Sequence, residues 1–218
     1  MRTMIQAVIF DMDGVIVESE HLHIQAEKQV LLKNGLELSS EDLHKYTGTT
    51  AKDMFTDIIR RYKLNTTFED MNREKKTILL KLLDEETQPT KGVVDLIWKL
   101  QRKDIKLGIA SSSDKDLIKY ILRKLKLSNA FHSMLSSDDI IHGKPDPEIF
   151  LKSAQQLNTN PSVCLVVEDS TFGVEAAKKA GMKCLGYRNP QSGNQDLSLA
   201  DIIIDDFSKV KVQELILL

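Results

Sequence analysis

Cysteine is scarce in this chain. Only Cys164 and Cys184 occur among 218 residues, which excludes a disulfide framework and a cysteine-built metal cluster. Both fall in β-rich runs and read as small buried hydrophobes. An excess of one charge is also missing: 30 Lys and Arg face 32 Asp and Glu, for a net charge of -2. That balance lacks the basic surplus needed to grip a nucleic-acid backbone, so no nucleic-acid partner is expected. No apolar run approaches the ~18 residues of a membrane span, so no membrane partner is expected either. The first ten residues run straight into Asp11 and Asp13, which argues against a secretory leader. Apolar residues at 41% and charged residues at 28% sit near the globular average and exclude a disordered or fibrous chain. A soluble cytoplasmic protein, monomeric or weakly dimeric, is expected.

What the sequence does have is alternation. Short β-rich runs at Ile5 to Phe10, Leu107 to Ala110, Val163 to Val167, Lys183 to Tyr187 and Asp201 to Ile204 are bounded by turn or charged residues. Helical patterns lie between the later ones. Leu117, Ile118, Ile121, Leu122 and Leu125 share one helical face. Asp146-Pro147 reads as an N-cap followed by proline at the first helical position, leading into Ile149 to Leu157. Val174 to Ala180 stops at Gly181, and Ser208 to Leu218 forms an amphipathic closing helix. Strands alternating with helices predict an α/β fold, a Rossmann-like parallel sheet covered by helices on both faces.

Residues 18–87 break this rhythm, with helical patterns at His21 to Asn34, Ala51 to Tyr62 and Phe68 to Leu83 and no convincing strand. The pattern predicts an inserted helical domain over 18–87, with a discontinuous core domain over 1–17 and 88–218. The return through Gln88-Pro89-Thr90-Lys91-Gly92 suits a hinge.

Ligands of open parallel sheets bind beyond the carboxyl ends of the strands, so the residues there carry the functional reading. The first strand ends in Asp11-Met12-Asp13-Gly14. Carboxylates two apart on extended chain point the same way, and their repulsion calls for a cation or a proton. Asp before Gly is also an ordinary turn cap, and both readings stand for this pair alone. The second strand ends in Ser111-Ser112-Ser113-Asp114; Ser113 or Asp114 suits an N-cap, while Ser111 is placed to offer its hydroxyl to an oxyanion. Lys144 is pinned between Gly143 and Pro145, unlike a free surface lysine. A further strand delivers Glu168-Asp169-Ser170. Two acid pairs, a hydroxyl and a lysine at four strand ends form a site for phosphate and magnesium.

Together these motifs resemble those of the haloacid dehalogenase-like phosphohydrolases: Val8-Ile-Phe-Asp11-Met-Asp13-Gly14, Ile109-Ala-Ser111, Gly143-Lys144-Pro145 and Val167-Glu168-Asp169-Ser-x-x-Gly173, in that order. The insertion after the first motif is similar to the helical cap of the branch that includes β-phosphoglucomutase and small sugar-phosphate phosphatases. The resemblance implies that Asp11 is the nucleophile forming an aspartyl-phosphate and Asp13 the general acid and base. It implies that Lys144 and Mg2+ offset the acids' charge, while Ser111 and backbone amides near Asp13 and Ser112 hold the phosphoryl oxygens. The Asp11 carboxylate, the Asp13 carbonyl and Asp169 would hold the metal, with Glu168 as ligand or as support behind it.

The acceptor then separates a phosphatase, which uses water, from a mutase, which uses a second sugar hydroxyl. Ser19 and His23 resemble the mutase's Thr and His positions after the first motif, although a helical His is commonly just packed or exposed. Tyr46 to Lys52, with Gly48, resembles the cap's specificity loop. Here the chain departs from the mutase: Ala51 stands at the position of an Arg that holds a distal phosphate, and Thr47 at that of a lysine. Lys52, one residue on, is turned by about 100° around the helix and lacks the guanidinium fork. Lys75 or Lys76 could add charge from the last cap helix, although a solvated face is the simpler role for both. These departures favour a phosphatase of small phosphorylated metabolites over a β-phosphoglucomutase. A binding protein without turnover is opposed by the retention of both Asp11 and Asp13. A receiver domain is opposed by the helical insertion, and a dinucleotide-binding module by Gly14 being the one glycine after the first strand.

Overall fold

The computed structural model describes residues 4–218. Six parallel strands form one sheet in the order β3-β2-β1-β4-β5-β6: β1 (Ala7–Phe10), β2 (Lys106–Ala110), β3 (Ser133–Leu135), β4 (Cys164–Glu168), β5 (Lys183–Tyr187) and β6 (Ile202–Ile204). The central strands read as unbroken apolar runs because helices cover both faces. Side chains divide between two clusters with the period of two that a pleated strand imposes. Val8, Phe10, Leu107, Ile109, Leu165 and Val167 join one cluster. Ala7, Ile9, Cys164, Val166 and Cys184 join the other. Both cysteines are free and buried.

Nine α-helices occur among the described residues, and four of them, α1 (Glu20–Lys33), α2 (Ser40–His44), α3 (Ala51–Tyr62) and α4 (Phe68–Glu86), lie between β1 and the rest of the sheet. Their starts are set by side chains: Ser39, Thr50 and Thr67 each accept a hydrogen bond from the amide three residues on. These helices carry their own apolar cluster, centred on Phe55, Ile58, Leu43 and Met71. Leu22 and Ala26 of α1 and Leu79 and Leu83 of α4 instead join the cluster under the sheet. The two chain crossings run side by side. Val17 bridges Pro89, and the Glu18 amide donates to the Gln88 carbonyl at 3.0 Å.

The remaining helices are α5 (Val93–Gln101), α6 (Lys115–Lys124), α7 (Glu148–Gln156), α8 (Thr171–Lys179) and α9 (Val212–Ile216). Three differences from the sequence reading have local causes. Pro147 is itself the N-cap of α7, and the Asp146 carboxylate accepts from the Glu148 amide. β3 spans three residues, too few to print an alternating pattern. The closing helix is split into a 3-10 turn at Phe207–Lys209 and the short α9. Phe207 anchors that turn against Tyr187, with ring centroids 4.6 Å apart.

Phe10 lies opposite both Ile109 and Val167, so β1, β2 and β4 end at one level. The chain leaves β1 toward β2 on one side and reaches β4 on the other, which opens a crevice at their carboxyl ends. Truncation in the helical cluster tests whether Phe55, fully buried, anchors it. Phe55→Ala is expected to lower unfolding free energy by about 3–5 kcal/mol in urea titrations; a loss below about 1 kcal/mol would show that the cluster does not depend on it.

Candidate active site

Lys144 is the centre of the crevice. Its Nζ donates to Asp11 Oδ1 at 2.5 Å, to Glu168 Oε1 at 2.6 Å and to the Ala110 carbonyl at 3.2 Å. The side chain has no exposed surface. Burial alone would strip its proton, but Asp11 and Glu168 outweigh that and hold it as an ammonium far above its ordinary range. Asp11 moves the other way from what its lysine partner alone would dictate. Burial, with Glu168, Asp169 and Asp13 nearby, pushes its carboxyl well above the usual carboxylate range. Burial and the adjacent Glu168 likewise push Asp169 up to about 7, against hydrogen bonds from Ser192 and Asn189.

Asp13 has the opposite environment. Its Oδ1 accepts from Ser19 Oγ at 2.7 Å and lies 3.0 Å from His23 Nε2; its Oδ2 accepts from Ser113 Oγ at 2.7 Å and Ser111 Oγ at 3.4 Å. Burial would raise this carboxyl, yet His23, Ser19 and Ser113 overcome it and hold Asp13 well below the usual range. Ser19 stands at the N-cap position of α1, but its side chain makes no capping bond there because it serves Asp13.

The sequence-predicted residues are therefore brought together, although several face differently from expectation. Ser111 is fully buried, accepts from the Ser113 amide at 3.0 Å and turns toward Asp13. Ser112 donates to the Gly48 carbonyl at 2.8 Å and ties the loop between α2 and α3 to the sheet. Gly48, at φ +87°, passes so close to Ser170 that a Cβ would sit 2.3 Å from its hydroxyl. Gly14, at φ +78°, would place a Cβ 2.1 Å from Asp169 Oδ2. Glu168 is fully engaged: Oε1 meets Lys144, and Oε2 accepts from the Asp169 and Ser170 amides and the Ser170 hydroxyl. Lys52 is exposed on the rim. Lys75 is not on a solvated face. It is buried and donates to Glu27 at 2.6 Å, whereas Lys76 pairs with Asp114 at 3.3 Å and Asp116 at 3.4 Å.

Four participants escaped the sequence reading. Of the two N-cap candidates, Asp114 caps α6, which leaves Ser113 to bond Asp13, a role its sequence position does not announce. Asn189, two residues past the tip of β5, could have been found by following every strand end; Ser192 has no comparable signal. Glu20 looks like an ordinary first-turn acid, yet it is buried on the cavity wall. Burial and the neighbouring Asp169 and Asp13 raise its carboxyl well above the usual range.

The cavity, of about 540 Å³, lies between strand ends and helices and suits a small metabolite. No three His, Cys, Asp or Glu side chains converge as a metal centre among the described residues. A hard divalent cation that keeps waters needs only one or two carboxylates, and Asp11 and Asp169 are hard oxygen donors in a cluster with excess negative charge. The donor set therefore fits magnesium.

Comparison with known proteins agrees with this geometry. The chain is 35% identical over 183 residues to a phosphorylated carbohydrates phosphatase of Thermotoga maritima, covering 82% of each chain. It is 29% identical over 217 residues to a β-phosphoglucomutase of Bacillus subtilis, covering 95% of this chain and 92% of the other. The crystal structure of a β-phosphoglucomutase from Clostridium difficile superposes with a TM-score of 0.87 at 28% identity, over 97% of this chain and 96% of that one. The family model for haloacid dehalogenase-like hydrolases matches residues 8–187. A match over that much of the chain, carrying the strand-end acids and Lys144 with it, makes this protein an enzyme of the haloacid dehalogenase-like hydrolase family.

Proposed function

We propose that the protein is a magnesium-dependent phosphatase of small phosphorylated metabolites, sugar phosphates foremost, working through an aspartyl-phosphate on Asp11. The observation that carries this reading is the pair of unlike carboxyls. Asp11 is gripped by a buried ammonium, while Asp13, two residues on, is surrounded by hydroxyls and an imidazole. Their contacts divide the roles: the carboxyl fixed by an ammonium attacks, and the one ringed by hydroxyls and an imidazole exchanges protons. The two shifts alone run the other way, and a divalent cation at Asp11 would lower that carboxyl.

Asp11 attacks phosphorus, and the ester oxygen leaves with the proton that Asp13 supplies. A dianionic phosphoryl group arriving beside Asp13 favours its protonated form for this step. Water then attacks the aspartyl-phosphate, gives its proton to Asp13 and releases phosphate, which restores both carboxyls. Lys144 holds Asp11 in place throughout, and Glu168 positions Lys144. Asp11, Asp169 and the Asp13 carbonyl would hold magnesium, which would supply charge neutralisation at the phosphoryl oxygens. The backbone amides near Asp13 and Ser112 are the groups at hand for those oxygens, since the Ser112 hydroxyl is given to Gly48, and Ser111, facing Asp13, supports the acid–base residue instead.

The mutase reading keeps one observation in its favour: Ser19 and His23 both reach Asp13, the group that must accept a sugar hydroxyl's proton. The phosphatase is favoured because Ala51 offers no charge to a second phosphate and Lys75 is committed to Glu27. Phosphorus NMR with magnesium, β-glucose 1-phosphate and a trace of glucose 1,6-bisphosphate separates the two. Free phosphate is expected, and glucose 6-phosphate without free phosphate would establish the mutase. Asp11→Asn is expected to lower kcat by about 10³-fold or more with an unchanged circular dichroism spectrum. Wild-type turnover in that variant would remove Asp11 as nucleophile. Excess chelator should abolish activity and added magnesium restore it; full activity in chelator would refute the metal requirement.

A further inference from the structure

The wall of the cavity beyond the strand ends is built from one face of α1. Glu20, His23, Ile24 and Glu27 line it at helical spacing, so Glu27 stands about 10 Å along the axis from Glu20. His23 reaches Asp13, and Glu20 neighbours the acids of the strand ends. Glu20 is buried, faces the cavity and takes part in no hydrogen bond or ion pair among the described residues. At the far end Glu27 holds Lys75, with both side chains nearly out of water and 2.6 Å between charged atoms. Eight acidic residues line the cavity against three lysines. Of those three, Lys75 is neutralised by Glu27, Lys76 is shared by Asp114 and Asp116, and Lys52 lies exposed on the rim.

We infer that Glu27 and Glu20 make the inner cavity a filter that admits a neutral, hydroxylated leaving group and turns away a second phosphate. A sugar or polyol monophosphate brings hydroxyls that can donate to the unpartnered Glu20 carboxyl. A bisphosphate brings a second anion to a wall whose buried ammonium is already occupied, and a like charge placed there is penalised strongly. The discrimination is thus built against the competitor as well as for the substrate. The same geometry contains its own reversal. A buried ammonium deprived of its partner is left uncompensated, so removing the Glu27 charge turns Lys75 into a receptor for an anion.

This inference rests on the phosphatase reading for its substrate class, so binding and turnover are measured separately. Binding is measured by calorimetry in the Asp11→Asn background with glucose 6-phosphate, fructose 6-phosphate, glucose 1,6-bisphosphate and fructose 1,6-bisphosphate. At least one monophosphate is expected to bind about tenfold or more tightly than either bisphosphate. Adding Glu27→Gln should tighten bisphosphate binding about tenfold while leaving the monophosphates within about threefold, and adding Lys75→Met should cancel that gain. Glu27→Asp, which draws the acid back from Lys75, should tighten bisphosphate binding severalfold and provides the test if Glu27→Gln does not fold. The inference is overturned if bisphosphates already bind as tightly as monophosphates, if no monophosphate binds at millimolar concentration, or if neither Glu27 variant alters the preference. A gain that survives Lys75→Met also overturns it. Phosphate release by the protein with Asp11 intact is scored independently: binding preference without release would sink the phosphatase reading and leave the filter standing.

Discussion

Lys144 carries its ammonium, with no exposed surface, between the carboxylates of Asp11 and Glu168. An isolated ammonium is not tolerated so deep, and removing one partner of a buried ion pair typically costs about 3–5 kcal/mol. Much of the local architecture follows from meeting that demand. The first carboxylate comes from the tip of β1, the second from the tip of β4, and a third acceptor is the Ala110 carbonyl at the end of β2. Three strands must therefore end at one level, which the Phe10, Ile109 and Val167 register provides. The other oxygen of Glu168 is held by the Asp169 and Ser170 amides, and Ser170 caps α8. A Cβ on Gly173 would lie 1.9 Å from the Glu168 carboxyl, so the first turn of α8 can sit there only with glycine at that position. The spacing Glu168, Ser170, Gly173 is thus the imprint of one buried lysine.

The same cluster explains why two aspartates so near in sequence differ. Asp11 shares its surroundings with other acids and is raised, whereas Asp13 is turned toward Ser19, Ser113 and His23 and is lowered. Neither value belongs to the Asp-x-Asp pattern itself. Each is conferred by residues that arrive from other elements, Ser19 and His23 from the start of α1 and Ser113 from the turn after β2.

The sheet and the strand-end acids were legible because burial on both faces writes apolar runs that end abruptly at charged residues. Ser19 and His23 were legible only through resemblance, since nothing in a helical His specifies a carboxylate six or ten residues back. Lys75 was misread for a similar reason. A lysine in a run of charged residues looks solvated, and its partner Glu27 is 48 residues away on another helix. Ser111 and Ser113 both turn toward Asp13 because a tight turn after a strand decides orientation by hydrogen bonding, here the Ser113 amide to Ser111 Oγ, rather than by spacing. Ser192 acts on Asp169 from a segment without regular structure, where no periodicity exists to be read.

Two of the contacts that seat the helices over the strand ends use backbone on the helical side, beside side-chain ones such as Lys76 to Asp114 and His21 to Gln191. Ser112 donates to the Gly48 carbonyl and Gln195 to the His44 carbonyl, and Gly48 itself closes against Ser170 for want of a side chain. Where a main-chain carbonyl is the acceptor, the contact does not depend on the side chain at that position. Ala51 brings no cation and Glu27 an acid, and neither takes part in those two contacts. The strand ends, by contrast, are bound to one another through side-chain charges that cannot change singly. The strand-end chemistry is thereby fixed by charges that are buried together. The cavity wall of this chain carries eight acidic residues, and Glu27 neutralises the buried Lys75 among them.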